Sequence, residues 1–226
     1  MALEVRHVSV LGFCVFVDVL LLNLHFLLEK VGRDDFLYFH VVLCHDVQDV
    51  TINDADETFW GIDGLRLKNV VLHGGTYPLM HCSNVRIDNL KCDSNYICQY
   101  CRNVEIHNAV INTKDSFWEV ENVTVYDSEL NGEYLGWHSK NLRLVNCHIS
   151  GEQPLCYAHN LVLENCTFDA GCDRAFEYSS VEADIRGHIE SIKNPATGHI
   201  KADSIGEIII DENIKDPADC VIETRN

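Results

Sequence analysis

A six-residue pattern returns along the middle of this chain at a step that does not slip. Asn84-Val85-Arg86-Ile87-Asp88-Asn89 recurs at Asn103–Asn108, Asn122–Asp127, Asn141–Asn146 and Asn160–Asn165, each time 19 residues on. Looking backward, Gly64–Asn69 stands 20 residues earlier, and a worn copy begins at Cys44 with Val47 and Asp49 in register. A fixed period of this length marks a solenoid, in which each unit buries its apolar face only by stacking on its neighbours.

The pattern inside the repeat shows what one unit is. The first and third residues after the leading Asn are apolar (Val85 and Ile87, Val104 and Ile106, Leu142 and Leu144), and those between are polar (Arg86, Glu105, Thr124, Arg143). Alternation of this kind is a strand with one buried face. Next comes a column of Asn69, Asn89, Asn108, Asp127, Asn146 and Asn165. Asn and Asp tolerate the left-handed backbone and suit a repeated bend. Stacked roughly 4.8 Å apart, such residues can form a side-chain ladder along the axis. Three positions later Ile52, Leu72, Cys92, Ile111, Leu130, Ile149 and Phe168 begin a second inward strand. No segment shows the 3.6-residue period that a leucine-rich repeat would need on its convex side. The predicted fold is an all-β, right-handed parallel β-helix with coils of 19–20 residues.

Three regions follow. Residues 1–43 are an atypical hydrophobic N-terminal segment, either a cap or a non-native start. Val8–Leu28 has the length of a membrane span, but Asp18 at its centre opposes insertion, and no cleavage site of the secretory kind follows. Residues 44–180 form the coils. Residues 181–226 form the short-strand C-terminal end of the same β-helix, with Ile208-Ile209-Ile210 as a short buried strand and Asp216-Pro217 as a final turn.

Charge and cysteine content narrow the function classes. With 35 acidic and 17 basic residues the formal charge is −18, which repels phosphate backbones and argues against sequence-independent nucleic-acid binding, so no nucleic-acid partner is expected. The 11 cysteines are odd in number and scattered, which fits buried thiols in a reducing compartment better than a disulfide framework. Cys82 over Cys101 and Cys147 over Cys166 are stacked pairs. On a strand, Cys98 and Cys101 would point to opposite faces, so their CxxC spacing does not predict a metal site. No dinucleotide, P-loop, metalloprotease or hydrolase-elbow motif is present, and no cofactor or metal is expected.

Counting back from each leading Asn sorts the remainder of the coil. The column Trp60, Met80, Gln99, Trp118, Trp137, Cys156 and the column Ile62, Cys82, Cys101, Val120, Ser139, Ala158 share a parity and are expected to face inward. Gly61, His81, Tyr100, Glu119, His138, Tyr157 and Asp63, Ser83, Arg102, Glu121, Lys140, His159 are then outward. His81, Tyr100, Glu119, His138 and Tyr157 form the candidate ligand-binding row. Glu119 and His138 would be neighbours within hydrogen-bonding reach, and the tyrosines offer amphipathic rings to a sugar. Paired charges on a solvated sheet face are the bland alternative.

The stretch Glu121–Gly151 (ENVTVYDSELNGEYLGWHSKNLRLVNCHISG) and the tail Ala175–Ile210 (AFEYSSVEADIRGHIESIKNPATGHIKADSIGEIII) resemble an uncharacterised bacterial family of pectin-lyase-like right-handed parallel β-helices, a domain of unknown function. The resemblance spans about 44–226. It implies this fold and a bacterial, cytoplasmic protein, and it carries no catalytic residues. Its members have further coils on the N-terminal side, which residues 1–43 do not resemble. The Gly-His-Gly element of polygalacturonases and the calcium-holding carboxylates of the lyases are not matched. Two carboxylates flanking one bond, as glycoside hydrolysis needs, are not evident, since Glu119 and Glu121 lie on one strand. The leading expectation is a polysaccharide binder. A non-enzymatic scaffold with a protein partner comes second, a lyase- or hydrolase-like enzyme third, and a thiol-based metal or redox protein last. A membrane partner is not expected.

Overall fold

The computed structural model describes residues 3–5 and 46–225. The expectations for residues 1–43 otherwise fall outside the described residues. Strand β1 (Leu3–Val5) pairs with β2 (Asp46–Asn53). From there one long parallel sheet climbs the axis through β3 (Arg66–Thr76), β4 (Ser83–Asn95), β5 (Arg102–His107), β7 (Glu121–Tyr126), β9 (Lys140–Val145) and β11 (Leu161–Phe168). Beyond these come β12 (Ser180–Arg186), β14 (Thr197–Ala202) and β16 (Cys220–Thr224). The short strands β6 (Val110–Asn112), β8 (Glu129–Asn131) and β10 (His148–Ser150) stack as a second face, and β13 (His188–Lys193) with β15 (Ser204–Ile209) forms a separate two-stranded sheet. All these pairings are parallel. The fold is a parallel β-solenoid with a 19-residue step.

The register follows the repeat. Ile87, Ile106, Val125 and Leu144 pair in sequence and are almost fully buried. Leu72, Cys92, Ile111, Leu130 and Ile149 line the second inner face. Parallel strands bury one face cheaply here because their backbone groups find partners on the coil above or below.

The third side of each coil is not a regular strand. In three successive coils the left-handed residues are Tyr96, Cys98 and Tyr100, then Asp115, Phe117 and Glu119, then Tyr134, Gly136 and His138. Left-handed backbone costs bulky residues roughly 1–2 kcal/mol each. It is held in place because the N–H groups still reach neighbouring coils: Tyr96 N donates to Lys114 O, Cys98 N to Pro78 O and Tyr100 N to Trp118 O, at 2.9–3.1 Å.

This alternation overturns the expected parity of one column. Phe59, Leu79, Phe117 and Leu155 turn inward and are buried. The next residues therefore move towards the surface: Trp60 is 38% exposed, Met80, Trp118 and Trp137 are half-buried, and only Gln99 and Cys156 of that column are buried. Cys98 and Cys101 likewise both face the core, contrary to the strand-based expectation.

Sharp corners aim carbonyl oxygens into the core, and small polar side chains answer them. Cys82 Sγ donates to Phe59 O at 2.7 Å, Cys101 Sγ to Leu79 O at 2.6 Å, and Cys172 Sγ to Ile149 O at 3.2 Å. Ser179 Oγ does the same for Leu155 O. A thiol is a small apolar body with a weak donor, which accounts for so many buried cysteines. All nine described cysteines are free thiols.

Asparagine side chains bond along the outside in three columns. Asn103, Asn122, Asn141 and Asn160 each donate to the preceding residue of their own column, and Asn84 starts the run by donating to Asp63 of the adjoining column. A second run starts at Asp49 with Asn69 and Asn89. A third joins Asp93, Asn112, Asn131 and Ser150. Each run begins on an aspartate because the first rung only has to accept. The second column is interrupted on both sides of Asn108. Asn108 donates to Asp88 instead of Asn89, and Asp127, which has no side-chain N–H to give Asn108, starts a new run with Asn146 and Asn165. Asp127→Asn should supply the missing bond to Asn108 and raise stability by roughly 0.5 kcal/mol, the net worth of one exposed hydrogen bond. Urea denaturation checks it, and an unchanged or lower midpoint contradicts the rule.

The C-terminal end departs from expectation in two ways. Ile208, in the outer strand β15 of its pair, is 48% exposed, and Ile210, just beyond that strand, is 39% exposed. The turn at Pro217–Asp219 is followed by β16, whose Gly198, His199 and Ile200 partners lie in β14.

Candidate functional site

The candidate row lies on the left-handed side of the coils. His81, Tyr100, Glu119, His138 and Tyr157 all have φ between 51° and 58°, so each stands on the same backbone device one coil apart. Adjacent hydrogen bonds fix their spacing: His81 N to Gln99 O, Tyr100 N to Trp118 O, Glu119 N to Trp137 O and His138 N to Cys156 O. The side chains are thus mounted on a rigid ladder instead of a loop.

The rings form two stacks. His81 and Tyr100 lie 5.0 Å apart with planes 19° from parallel, and Trp60 tilts beneath His81 at 5.6 Å. His138 and Tyr157 lie 4.9 Å apart at 14°, continued by Tyr178 at 5.6 Å. Glu119 interrupts the column between them. There the surface sinks into a groove of about 500 Å³, lined by His81, Tyr100, Glu119 and His138 and by Ser83, Arg102, Glu121 and Lys140 of the adjoining column.

Partnering separates this face from the others. His73, His107, His148, His188 and His199 each lie within ion-pair reach of a carboxylate. Arg86 pairs with Glu105 and Arg143 with Glu164. The remaining described histidines are His81, His138 and His159, and all three belong to the two columns of the groove side. Among the described residues, the polar ends of His81, Tyr100, Glu119, His138 and Lys140 have no side-chain hydrogen bond or ion pair. The expected Glu119–His138 hydrogen bond is therefore not made. Arg102 contacts Glu121 at 3.5 Å, and Ser83 donates to Asp63.

Tyr157 sits lower than the rest of the row. Burial, reinforced by the Glu177 charge, pushes its hydroxyl above the usual phenol range, so it remains a neutral donor. No group of three or more His, Cys, Asp or Glu residues is placed to hold a metal ion among the described residues. The tryptophans are the neighbours of this row that the sequence misplaced. Trp118 leans on His138 at 5.4 Å and stacks with Trp137 at 5.5 Å, while Trp137 Nε1 donates to Gln153 O. The aromatic pairs Phe59-Trp60 and Phe117-Trp118 carried the signal, since only one member of each can fill the core.

Residues 39–223 match the model of a family described as a protein of unknown function, DUF3737. The chain belongs to the DUF3737 family. No curated protein matches it. Among solved structures, this DUF3737 chain is similar to the catalytic domain of a GH87 α-1,3-glucanase in complex with nigerose, at 12% identity and a TM-score of 0.29. The match covers 80% of this chain and 48% of the glucanase chain, so the DUF3737 protein spans about half of that neighbour's length. A likeness this distant says nothing of activity.

Proposed function

We propose that the protein binds carbohydrate in the groove around Glu119. The observation that carries this reading is the concentration of unpaired polar and aromatic groups there, while the histidines on other faces are matched with acids. A sugar supplies what such a groove lacks: hydroxyls that donate to Glu119 and accept from Lys140 and the imidazoles, and C–H faces for the rings. Binding without chemistry is the preferred form. Glu119 and Glu121 stand two residues apart on one coil, which does not place one carboxylate on each side of a glycosidic bond.

The test is a thermal-shift panel of neutral and acidic polysaccharides. A ligand that binds only the folded protein stabilises it by about 2.7 kcal/mol at a hundredfold excess over Kd. A rise in Tm with one glycan class is expected, and it should vanish in Tyr100→Ala/Glu119→Ala. Retention of the shift in that variant would place the site elsewhere.

The scaffold reading rests on a different observation. Ile208, Ile210 and Val221 expose apolar surface at the C-terminal end. A protein recovered by crosslinking through that end, with no glycan response, would favour it.

A further inference from the structure

Charge is not spread evenly along the groove. Resting on the carbohydrate reading above, we infer that its upper half is an anion seat, where Lys140, His138 and His159 hold a carboxylate or sulfate carried by an acidic glycan.

The two columns of the groove side meet as rungs. Counting upward, they are His81 with Ser83, Tyr100 with Arg102, Glu119 with Glu121, His138 with Lys140, and Tyr157 with His159. On the last two rungs the residue between is small and fully buried, Ser139 and Ala158, while His138, Lys140 and His159 are exposed. His138 and Lys140 line the groove. Lys140 and His159 are direct neighbours across the sheet, and the rings of His138 and Tyr157 stack at 4.9 Å. Four side chains able to donate are thereby gathered on two adjacent coils, roughly 4.8 Å apart.

Which partner each acid takes sets the charge. Glu121 stands between Arg102 and Lys140 in the sheet register. It contacts Arg102 at 3.5 Å and makes no ion pair with Lys140. Glu177, on the coil above Tyr157, is held by Lys193 at 2.7 Å. The residue above His159 in its column is Ser180, which is neutral and accepts from Asn160 N. The asparagine ladder alongside, Asn141 and Asn160, is neutral too. Among the described residues, Lys140, His138 and His159 therefore keep their donors, whereas Arg86 and Arg143 on a neighbouring face are taken by glutamates.

Glu119, one rung below, is the carboxylate left without a partner beside this block. One carboxylate against an ammonium and two imidazoles leaves a surplus of donors. An anionic oxygen accepts from them in charge-assisted hydrogen bonds, about twice as strong as those of a neutral hydroxyl. Glu119 then accepts from a ring hydroxyl next to the acid group, which fixes the sugar's direction along the axis. The net charge of −18 opposes a polyanion at long range. At about 0.15 M salt that field is screened beyond roughly 8 Å, while contacts inside the groove persist.

Affinity electrophoresis of the full chain at about 0.15 M salt, in gels cast with dextran or dextran sulfate and with galactan or polygalacturonate, tests the seat. Stronger retardation by an acidic polymer than by its neutral counterpart is expected. Lys140→Gln should weaken that retardation about tenfold, the loss of one charge-assisted hydrogen bond, and Lys140→Arg should keep it. Lys91→Gln removes the same charge from an exposed position of β4 beside β6 and should change nothing. Thermal melts verify that the variants are folded. Equal losses in Lys140→Gln and Lys91→Gln would overturn the seat, because net charge alone would account for both. Complete competition by inorganic sulfate at the same charge concentration would overturn the glycan as its occupant. Retardation by the neutral polymers alone would overturn the seat and leave the carbohydrate reading standing. Retardation by no polymer would overturn the carbohydrate reading itself.

Discussion

Raising the pH from 8 to about 11 should strip this protein of much of its stability. Burial pushes the thiols of Cys92 and Cys172 up to about 11 and that of Cys156 to about 12, from an ordinary value of 9.0. A group that ionises later in the folded state contributes stability in full below its unfolded pKa and loses it as the pH climbs towards the folded one. The loss therefore begins near pH 9, where unfolded thiols start to release protons that the folded protein retains. By pH 11 each such thiol has cost on the order of 2 kcal/mol. Three of them remove a large part of the roughly 5–15 kcal/mol that holds a domain together. Urea denaturation followed at pH 8, 9, 10 and 11 reads this as a falling free energy. Cys92→Val, which cannot ionise, should flatten the fall by about one thiol's share. A stability that does not change over that range would mean that the cysteines are not buried as described.

Gly132→Ala should be among the most damaging small substitutions in the coils, at about 3 kcal/mol or more. Gly132 has φ 140°, and a Cβ there would overlap the Thr113 carbonyl of the coil below. That carbonyl belongs to backbone locked between coils by the bond from Thr113 N to Asn131 O, so it cannot yield. Gly61→Ala is the control. Gly61 is also left-handed, at φ 68°, but a Cβ there meets nothing within 4 Å. Its cost should be limited to the backbone preference, roughly 1 kcal/mol. Equal losses in the two variants, measured by chemical denaturation, would show that the approach of coil to coil is not the constraint.

The repeat made most of the solenoid legible before any coordinates. Strand positions such as Val85, Ile87, Ile106 and Leu144 alternate cleanly, and alternation maps directly onto a buried face. The left-handed side was not legible. Leu79, Cys98 and Phe117 have no intrinsic preference for positive φ; they adopt it because neighbouring coils supply partners for their N–H groups, a tertiary effect that no local propensity encodes. The misplacement of Trp60, Trp118 and Trp137 follows from that. Asp127 shows the same limit in the corner column: it looks equivalent to asparagine in sequence, and only the direction of the ladder reveals that it cannot donate. The row from His81 to Tyr157 was readable as a column. That Glu119 is a gap between two ring stacks, and that the histidines on this side are the unpaired ones, needed side-chain positions.

Filling that gap tests the central claim most directly. Glu119→Tyr places a third ring at a position where tyrosine is already tolerated one coil below, at Tyr100, and two coils above, at Tyr157, with the same left-handed backbone. Isothermal titration of wild-type protein and Glu119→Tyr with the glycan that gives the largest thermal shift is the measurement. The expected result is loss of binding in the variant together with an unchanged or higher Tm, because the ring column becomes continuous. Wild-type affinity in Glu119→Tyr would contradict a binding seat at the interruption.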